Sequence, residues 1–346
     1  MSAGATIAWR PARARVAIRA AGWRLEFVAL AAIWGSSFLM IKVLGRHWAP
    51  LDVALGRVAL GALTLVAVLA VRGERLPRGR DVWGRAAIVG LLMNALPFTL
   101  FAVGEEHVSS VLAGLWNATT PLMTLVAVVA FLPDERPDRR KLAGLALGFA
   151  GVACVLGPWR GLGGEALVGQ LACAAAAVCY GLGITFTRRA LGGRAESGLA
   201  LACAQLLCAT ATLAAIAPLA GAPTASLPVD ALASLLILGV LGSGVAYALT
   251  YRIVRAAGPT TFSTVTYVIP LFSTALGVAL LGESFSWNEL LGAAIVLAAM
   301  AWSAGGRDRA GGRTSGRMTP VASSGPPRRP GSSRSSPGRA RSRSGS

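Results

Sequence analysis

Long apolar stretches separated by short polar or basic gaps run through most of the chain. They fall near Leu25 to Val43, Leu51 to Val71, Ala86 to Val103, Val108 to Phe131, Leu142 to Leu156, Ala166 to Thr187, Leu199 to Leu219, Leu232 to Tyr251, Thr261 to Leu281 and Leu290 to Ala304. Each approaches the roughly 20 residues that a helix needs to cross a hydrocarbon core. The pattern predicts an all-α polytopic membrane protein with ten transmembrane helices.

The ten runs form two sets of five. Pro121-Leu122, an apolar run, Asp134-Glu135 and Gly144 return as Pro270-Leu271, an apolar run, Glu283 and Gly292. Trp34-Gly35 with an exit at Lys42 corresponds to Tyr180-Gly181 with an exit at Arg188. Five crossings reverse direction, so the second copy enters the bilayer from the opposite side to the first. The expected division is a basic segment 1–24, a first repeat 25–156, a second repeat 157–304 and a tail 305–346.

Charge supplies the orientation. Arg10, Arg13, Arg15, Arg19, Arg24, Arg72, Arg75, Arg78, Arg80, Arg85, Arg136, Arg139, Arg140, Lys141, Arg188, Arg189, Arg194, Arg252 and Arg255 all fall in alternate gaps. The opposite gaps hold only Arg46 and Arg160, alongside Asp52, Glu105, Glu106, Glu165, Asp230, Glu283 and Glu289. By the positive-inside rule both termini are expected in the cytoplasm.

Composition agrees with this class: 54% of residues are hydrophobic, 14% are charged, and mean hydropathy is +0.61. The net charge of +18 is concentrated in the tail, where ten arginines stand among Gly, Ser and Pro. That tail is expected to be disordered and to meet anionic lipid headgroups or simply enforce orientation. It carries no aromatic residue, so it offers bases no stacking platform and no nucleic-acid partner is expected. The N-terminal stretch leads into a run long enough to span and does not read as a cleaved signal. Cys154, Cys173, Cys179, Cys203 and Cys208 all lie in or beside apolar runs, as small hydrophobes do.

Several chemistries find no motif. Neither Lys42 nor Lys141 sits in a Gly-Lys-Ser/Thr phosphate loop, and no His, Cys or acidic cluster has metal-ligand spacing. His47 and His107 are the only histidines, and Gly242-Ser243-Gly244 lacks the upstream glycine of an intramembrane protease elbow. No cofactor, metal or enzymatic activity is expected.

Trp34-Gly35-Ser36-Ser37-Phe38 with Lys42, Arg57, Thr120-Pro121-Leu122, Pro270-Leu271, Leu281-Gly282-Glu283 and Gly292 resemble the EamA-like members of the drug/metabolite transporter superfamily. The resemblance runs from about Leu25 to Ala304. It implies two inverted five-helix repeats in a bacterial inner membrane, and small metabolites as substrates, most often amino acids and their derivatives.

Polar groups inside the helices mark the candidate site, because an unpaired charge in hydrocarbon costs several kcal/mol. Arg57 lies about two turns inside the second helix, roughly 10 Å from its end. It serves either as a cationic anchor for a carboxylate or phosphate, or as an ion-pair or hydrogen-bond hub between helices. Asn94, Asn117, Thr120, Gln205, Tyr247, Thr266 and Tyr267 are candidates to line the same space, with Trp34 and Tyr180 as aromatic faces or packing residues. Pro97, Pro121 and Pro270 are expected to kink their helices and act as hinges. Gly144, Gly148 and Gly151 predict close helix contact. Glu135 and Glu283 read as loop or cap residues, and Glu105, Glu106 and His107 as a solvated outer loop with no carboxylate at mid-membrane.

The sequence therefore predicts a secondary transporter, exporting an amino acid or related small metabolite by alternating access. Uptake, broad drug export and a polytopic enzyme or scaffold are the alternatives. Substrate, direction, coupling ion and oligomeric state stay open.

Overall fold

The computed structural model describes residues 11–131, 139–157, 159, 164–191, 196–220 and 227–304. Asp134, Glu135, Arg136, Arg160, Arg194, residues 1–10 and the tail 305–346 lie outside the described residues. Those described belong to one unit that ends at Gly306.

Among the described residues ten membrane-length or shorter apolar helices follow one another. They are α1 (Pro11–Leu44), α2 (Pro50–Arg72), α3 (Arg80–His107), α4 (Ser110–Phe131), α5 (Arg139–Leu156), α6 (Gly164–Leu191), α7 (Gly198–Ile216), α8 (Val229–Gly258), α9 (Val265–Leu281) and α10 (Trp287–Ala304). Helices are the natural solution in lipid because every backbone N–H and C=O must be satisfied within the segment. Seven are long and apolar enough to cross a membrane, and three shorter apolar helices complete the set. Leu63, Leu171, Leu271 and Leu280 remain more than half exposed on the outside of the bundle, as residues facing acyl chains do.

The packing repeats under exchange of the two sets of five. Helix α5 packs on α10, α2 on α7 and α4 on α9, each with its own counterpart. The pair α1 and α9 is matched by α6 and α4, α3 and α6 by α8 and α1, and α2 and α8 by α7 and α3. The fold is thus an all-α bundle of two inverted five-helix repeats. Outermost is the α5–α10 pair, where glycines bring backbones together. A Cβ on Gly151 would sit 2.8 Å from the Gly292 carbonyl oxygen, and one on Gly292 would sit 2.6 Å from that of Gly151.

Helix irregularities do not fall wherever proline does. A π-helical segment, Leu91–Ala95, precedes Pro97 in α3, and a longer one, Ile237–Val245, interrupts α8 without any proline. Helix α4 breaks between Asn117 and Thr120, just before Pro121. Helix α9 carries Pro270 inside it, and α8 ends at Gly258, with φ +86°, directly before Pro259. Gly258 takes a left-handed backbone conformation that glycine adopts without a Cβ clash.

Candidate functional site

The two π segments occupy the third helix of each repeat, and both point at the bundle centre. Widened turns of this kind free backbone groups and re-aim side chains, and they recur at functional sites. In α8 the Gly242 carbonyl accepts a hydrogen bond from Trp34 Nε1 at 3.2 Å. The next residue, Ser243, donates to Leu238 O at 3.3 Å and accepts from Arg57 Nε at 3.2 Å. In α3 the π-segment residue Asn94 donates through Nδ2 to Tyr247 Oη at 2.8 Å.

Arg57 reaches Ser243 because small residues bring α2 and α8 close. A Cβ on Gly61 would meet that of Ser243 at 2.6 Å, and one on Gly239 would meet that of Leu60 at 2.4 Å. Arg57 is 6% exposed. Its guanidinium carbon lies 3.7 Å from the centre of the Phe98 ring, a cation–π contact strengthened by burial. No carboxylate lies within 4.0 Å of it among the described residues. Of the roles open to Arg57, the cationic anchor and the hub between helices, the ion-pair form of the hub finds no acidic partner within that distance among the described residues. The hydrogen-bond form has a partner, Ser243.

A cavity of ≈ 360 Å³ adjoins this arginine. That is within the roughly 300–1,000 Å³ of small-molecule sites. Trp34, Arg57, Asn117 and Thr120 line it from the first repeat, and Tyr180, Gln205, Tyr247 and Thr266 from the second. No described residue of α5 or α10 is among the lining. Arg57 and Gln205 each stand seven residues after their helix begins, at Pro50 and Gly198 (57 − 50 = 205 − 198 = 7). The same position in the two repeats therefore holds a cation in one and a neutral amide in the other.

Two predicted residues stand outside the lining. Asn94 is fully buried behind Tyr247 and positions its hydroxyl. Tyr267 packs instead with the cluster of Leu122, Val296 and Met300, between α4, α9 and α10. The helical period turns it away from Thr266, its neighbour in the chain. Phe98, Phe101, Tyr251 and Phe262 also line the cavity and were not singled out from the sequence, while Phe38, which lines it too, stood there only as part of the family motif. Nothing distinguishes a cavity-facing Phe from a core Phe in an apolar run. Ser243 had a signal: a Gly-Ser-Gly inside a span, where two glycines allow a neighbouring helix to approach.

The cavity is unequal at its two ends. At the end rich in basic residues it is lined by Arg188, which is exposed, together with Thr187 and Tyr251. At the other it stops at buried Phe38 and Phe101, whose ring centres lie 5.3 Å apart in an edge-on contact, with Tyr180 6.1 Å from Phe101. Beyond those rings, Lys42 Nζ donates to the carbonyl oxygens of Glu105 and Val108 and so satisfies the C-terminus of α3. Glu283 then closes the end across the two repeats. Its carboxylate accepts from Ser110 N at 3.0 Å, Ser110 Oγ at 2.8 Å and Val111 N at 3.1 Å, capping the first turn of α4. His47 and Asp230 meet at 3.2 Å nearby.

Glu105 differs from its expected place in a solvated loop. It belongs to the last turn of α3, is 2% exposed, and neither carboxylate oxygen has a hydrogen-bond partner among the described residues. Glu106 beside it is exposed. The helix runs one turn further than the apolar run does, and its rotation carries one glutamate inward and the other outward.

Two inverted helical repeats enclosing one cavity, with polar groups from both, define a membrane transporter. The model of the EamA-like transporter family matches the chain twice, over residues 23–157 and 167–304. The chain belongs to that family. It is 30% identical over 286 residues to the Uncharacterized inner membrane transporter YedA of Escherichia coli (strain K12), covering 79% of this chain and 87% of that protein. Similarity extends to the Uncharacterized transporter YvbV of Bacillus subtilis (strain 168), 26% identical over 271 residues, 78% of this chain and 87% of that one. It also reaches the WAT1-related protein At3g02690, chloroplastic, of Arabidopsis thaliana, 25% identical over 77% of this chain and 66% of that one. A solved crystal structure matches 82% of this chain and 96% of its own with a TM-score of 0.58. At 24% identity that likeness shows the fold alone.

Proposed function

We propose that the protein is a secondary transporter of the bacterial inner membrane, with both termini in the cytoplasm, that exports an amino acid or related small metabolite by alternating access. The observation that carries this reading is the cavity itself. It is built from both repeats, anchored by Arg57, reached from the basic end and closed by Phe38, Phe101 and the Glu283 cap at the other. With the basic end in the cytoplasm this is the inward-facing state, from which an exporter loads its cargo. Closing around Arg188 and releasing Glu283 from Ser110 would turn the same cavity outward.

Broad mass spectrometry of growth medium tests it, comparing cells that express the protein, cells that express Arg57→Ala, and cells with neither. A metabolite that accumulates outside only with the intact protein is the expected result. An unchanged medium, or one from which a compound is depleted, overturns export.

A further inference from the structure

Glu105 stands one turn beyond Phe101 on α3, about 6 Å by helix rise. It therefore lies past the rings that end the cavity, inside the closed end of the bundle, where it is 2% exposed and neither carboxyl oxygen meets a donor among the described residues. No Lys, Arg or His nitrogen comes within 4.0 Å of that carboxyl among the same residues. The ionisable groups that face it are Lys42 from α1, Arg57 from α2, Cys173 from α6 and Glu283 from the loop after α9, and α4 has no titratable residue. On its own helix Glu106 is exposed and His107 turns to Glu165 at 4.0 Å. Both cations face other groups: Lys42 donates to the backbone carbonyls of Glu105 and Val108, and Arg57 holds Ser243 and Phe98. Glu283 accepts from three donors, as an anion does. A second anion near it, without donors and out of water, is far costlier than a neutral acid in the same place.

We infer that Glu105 is a proton-binding site of the transport cycle, holding one proton while this end is closed and giving it up when the end opens. This rests on the transport reading and adds to it the ion that the closed end binds. When Phe38 and Phe101 part and Glu283 leaves Ser110, water reaches the carboxyl and can solvate its anion. The O–H bond then breaks with its electron pair left on the carboxylate, and the proton passes to water. Closing reverses the step, and no other reactant takes part. Acid therefore favours the closed end, and the open fraction rises by up to about tenfold per pH unit, the limit for one linked proton.

Maleimide labelling of the purified full-length protein in detergent tests this. Val111→Cys at the closed end is read against Val229→Cys, exposed at the start of α8, each with the native cysteines replaced by alanine, so that the ratio of rates cancels the pH dependence of the thiol reaction itself. The expected result is a ratio that climbs several-fold from about pH 6 to about pH 8 at constant sodium. Adding Glu105→Gln is expected to hold the ratio at its acid value at every pH. Where that variant does not purify as a monodisperse species, Glu105→Met, equally neutral and of similar length, is expected to do the same. His47→Gln and His107→Gln, at the same end, are expected to keep the climb. A flat ratio in the parent overturns the inference, as does a climb that survives the neutral variants at Glu105 or is lost in a histidine variant. A ratio that follows sodium at fixed pH overturns it as well, because the bound ion is then a metal cation. Since labelling reads the opening of one end and not the movement of cargo, these failures stay distinct from a failure of the export reading, which the growth medium decides.

Discussion

Glu283 and Ser110 join the two repeats at the closed end of the cavity: one carboxylate accepts from the Ser110 backbone N–H, the Ser110 hydroxyl and the Val111 N–H. The acceptor comes from the loop after α9 and the donors from the first turn of α4, where backbone N–H groups have no helical partner. The contact therefore both caps a helix and holds the repeats together. Glu283→Ala is expected to lower stability by about 1–2 kcal/mol, the usual effect of losing a helix cap. It is also expected to expose Val111, so that a cysteine placed there reacts faster with a membrane-impermeant maleimide. Unchanged labelling would mean the cap does not hold this end shut.

The Arg57–Phe98 contact gives a second expectation. Phe98→Leu keeps an apolar side chain but removes the ring face beneath the guanidinium, and is expected to destabilise the protein by about 1–2 kcal/mol. Phe98→Tyr keeps the face and should lose less. Thermal unfolding of the two variants in the same detergent separates them.

Glycines at the α5–α10 seam are expected to tolerate no side chain. Gly151→Ala places a methyl 2.8 Å from the Gly292 carbonyl oxygen, and overpacking of this kind costs about 1–3 kcal/mol. Gly84→Ala, where nothing lies within 4 Å, is the control. It is expected to be neutral or to stabilise by up to about 1 kcal/mol through helix propensity. Melting temperatures of both variants decide this directly.

Glu105 carries a different prediction. A buried carboxyl without a hydrogen bond among the described residues is costly to keep. Glu105→Gln is expected to preserve the fold and raise thermal stability by about 1 kcal/mol or more, whereas Glu106→Gln, on the exposed face, is expected to change nothing. A fall in stability at Glu105 would show that the carboxylate serves a partner that only the anion satisfies.

The span count, the repeat and the sorting of charge were legible in the chain because each is a property of local composition. An apolar run long enough to span must form a helix in lipid, so α2 begins at Pro50 and α7 at Gly198, within one residue of the apolar runs. Arg57 stood out for the same reason, as a charge inside such a run. Legibility stopped where the outcome depends on helix rotation and on which neighbour approaches. Thr266 and Tyr267 are adjacent in sequence, yet one lines the cavity and the other packs against α10. Glu105 and Glu106 part company in the same way.

The sequence by itself determined that this is a ten-helix membrane protein of two inverted halves with a cation inside the second span. Those features follow from hydrophobic length, odd crossing number and the cost of a buried charge. Only the tertiary structure decided that Arg57 faces Phe98 and Ser243, with no carboxylate within 4.0 Å of it and no acid lining the cavity among the described residues, and that Glu283 seals one end. These depend on π segments in α3 and α8 and on glycine contacts that set helix rotation and spacing, quantities fixed by packing between helices far apart in the chain.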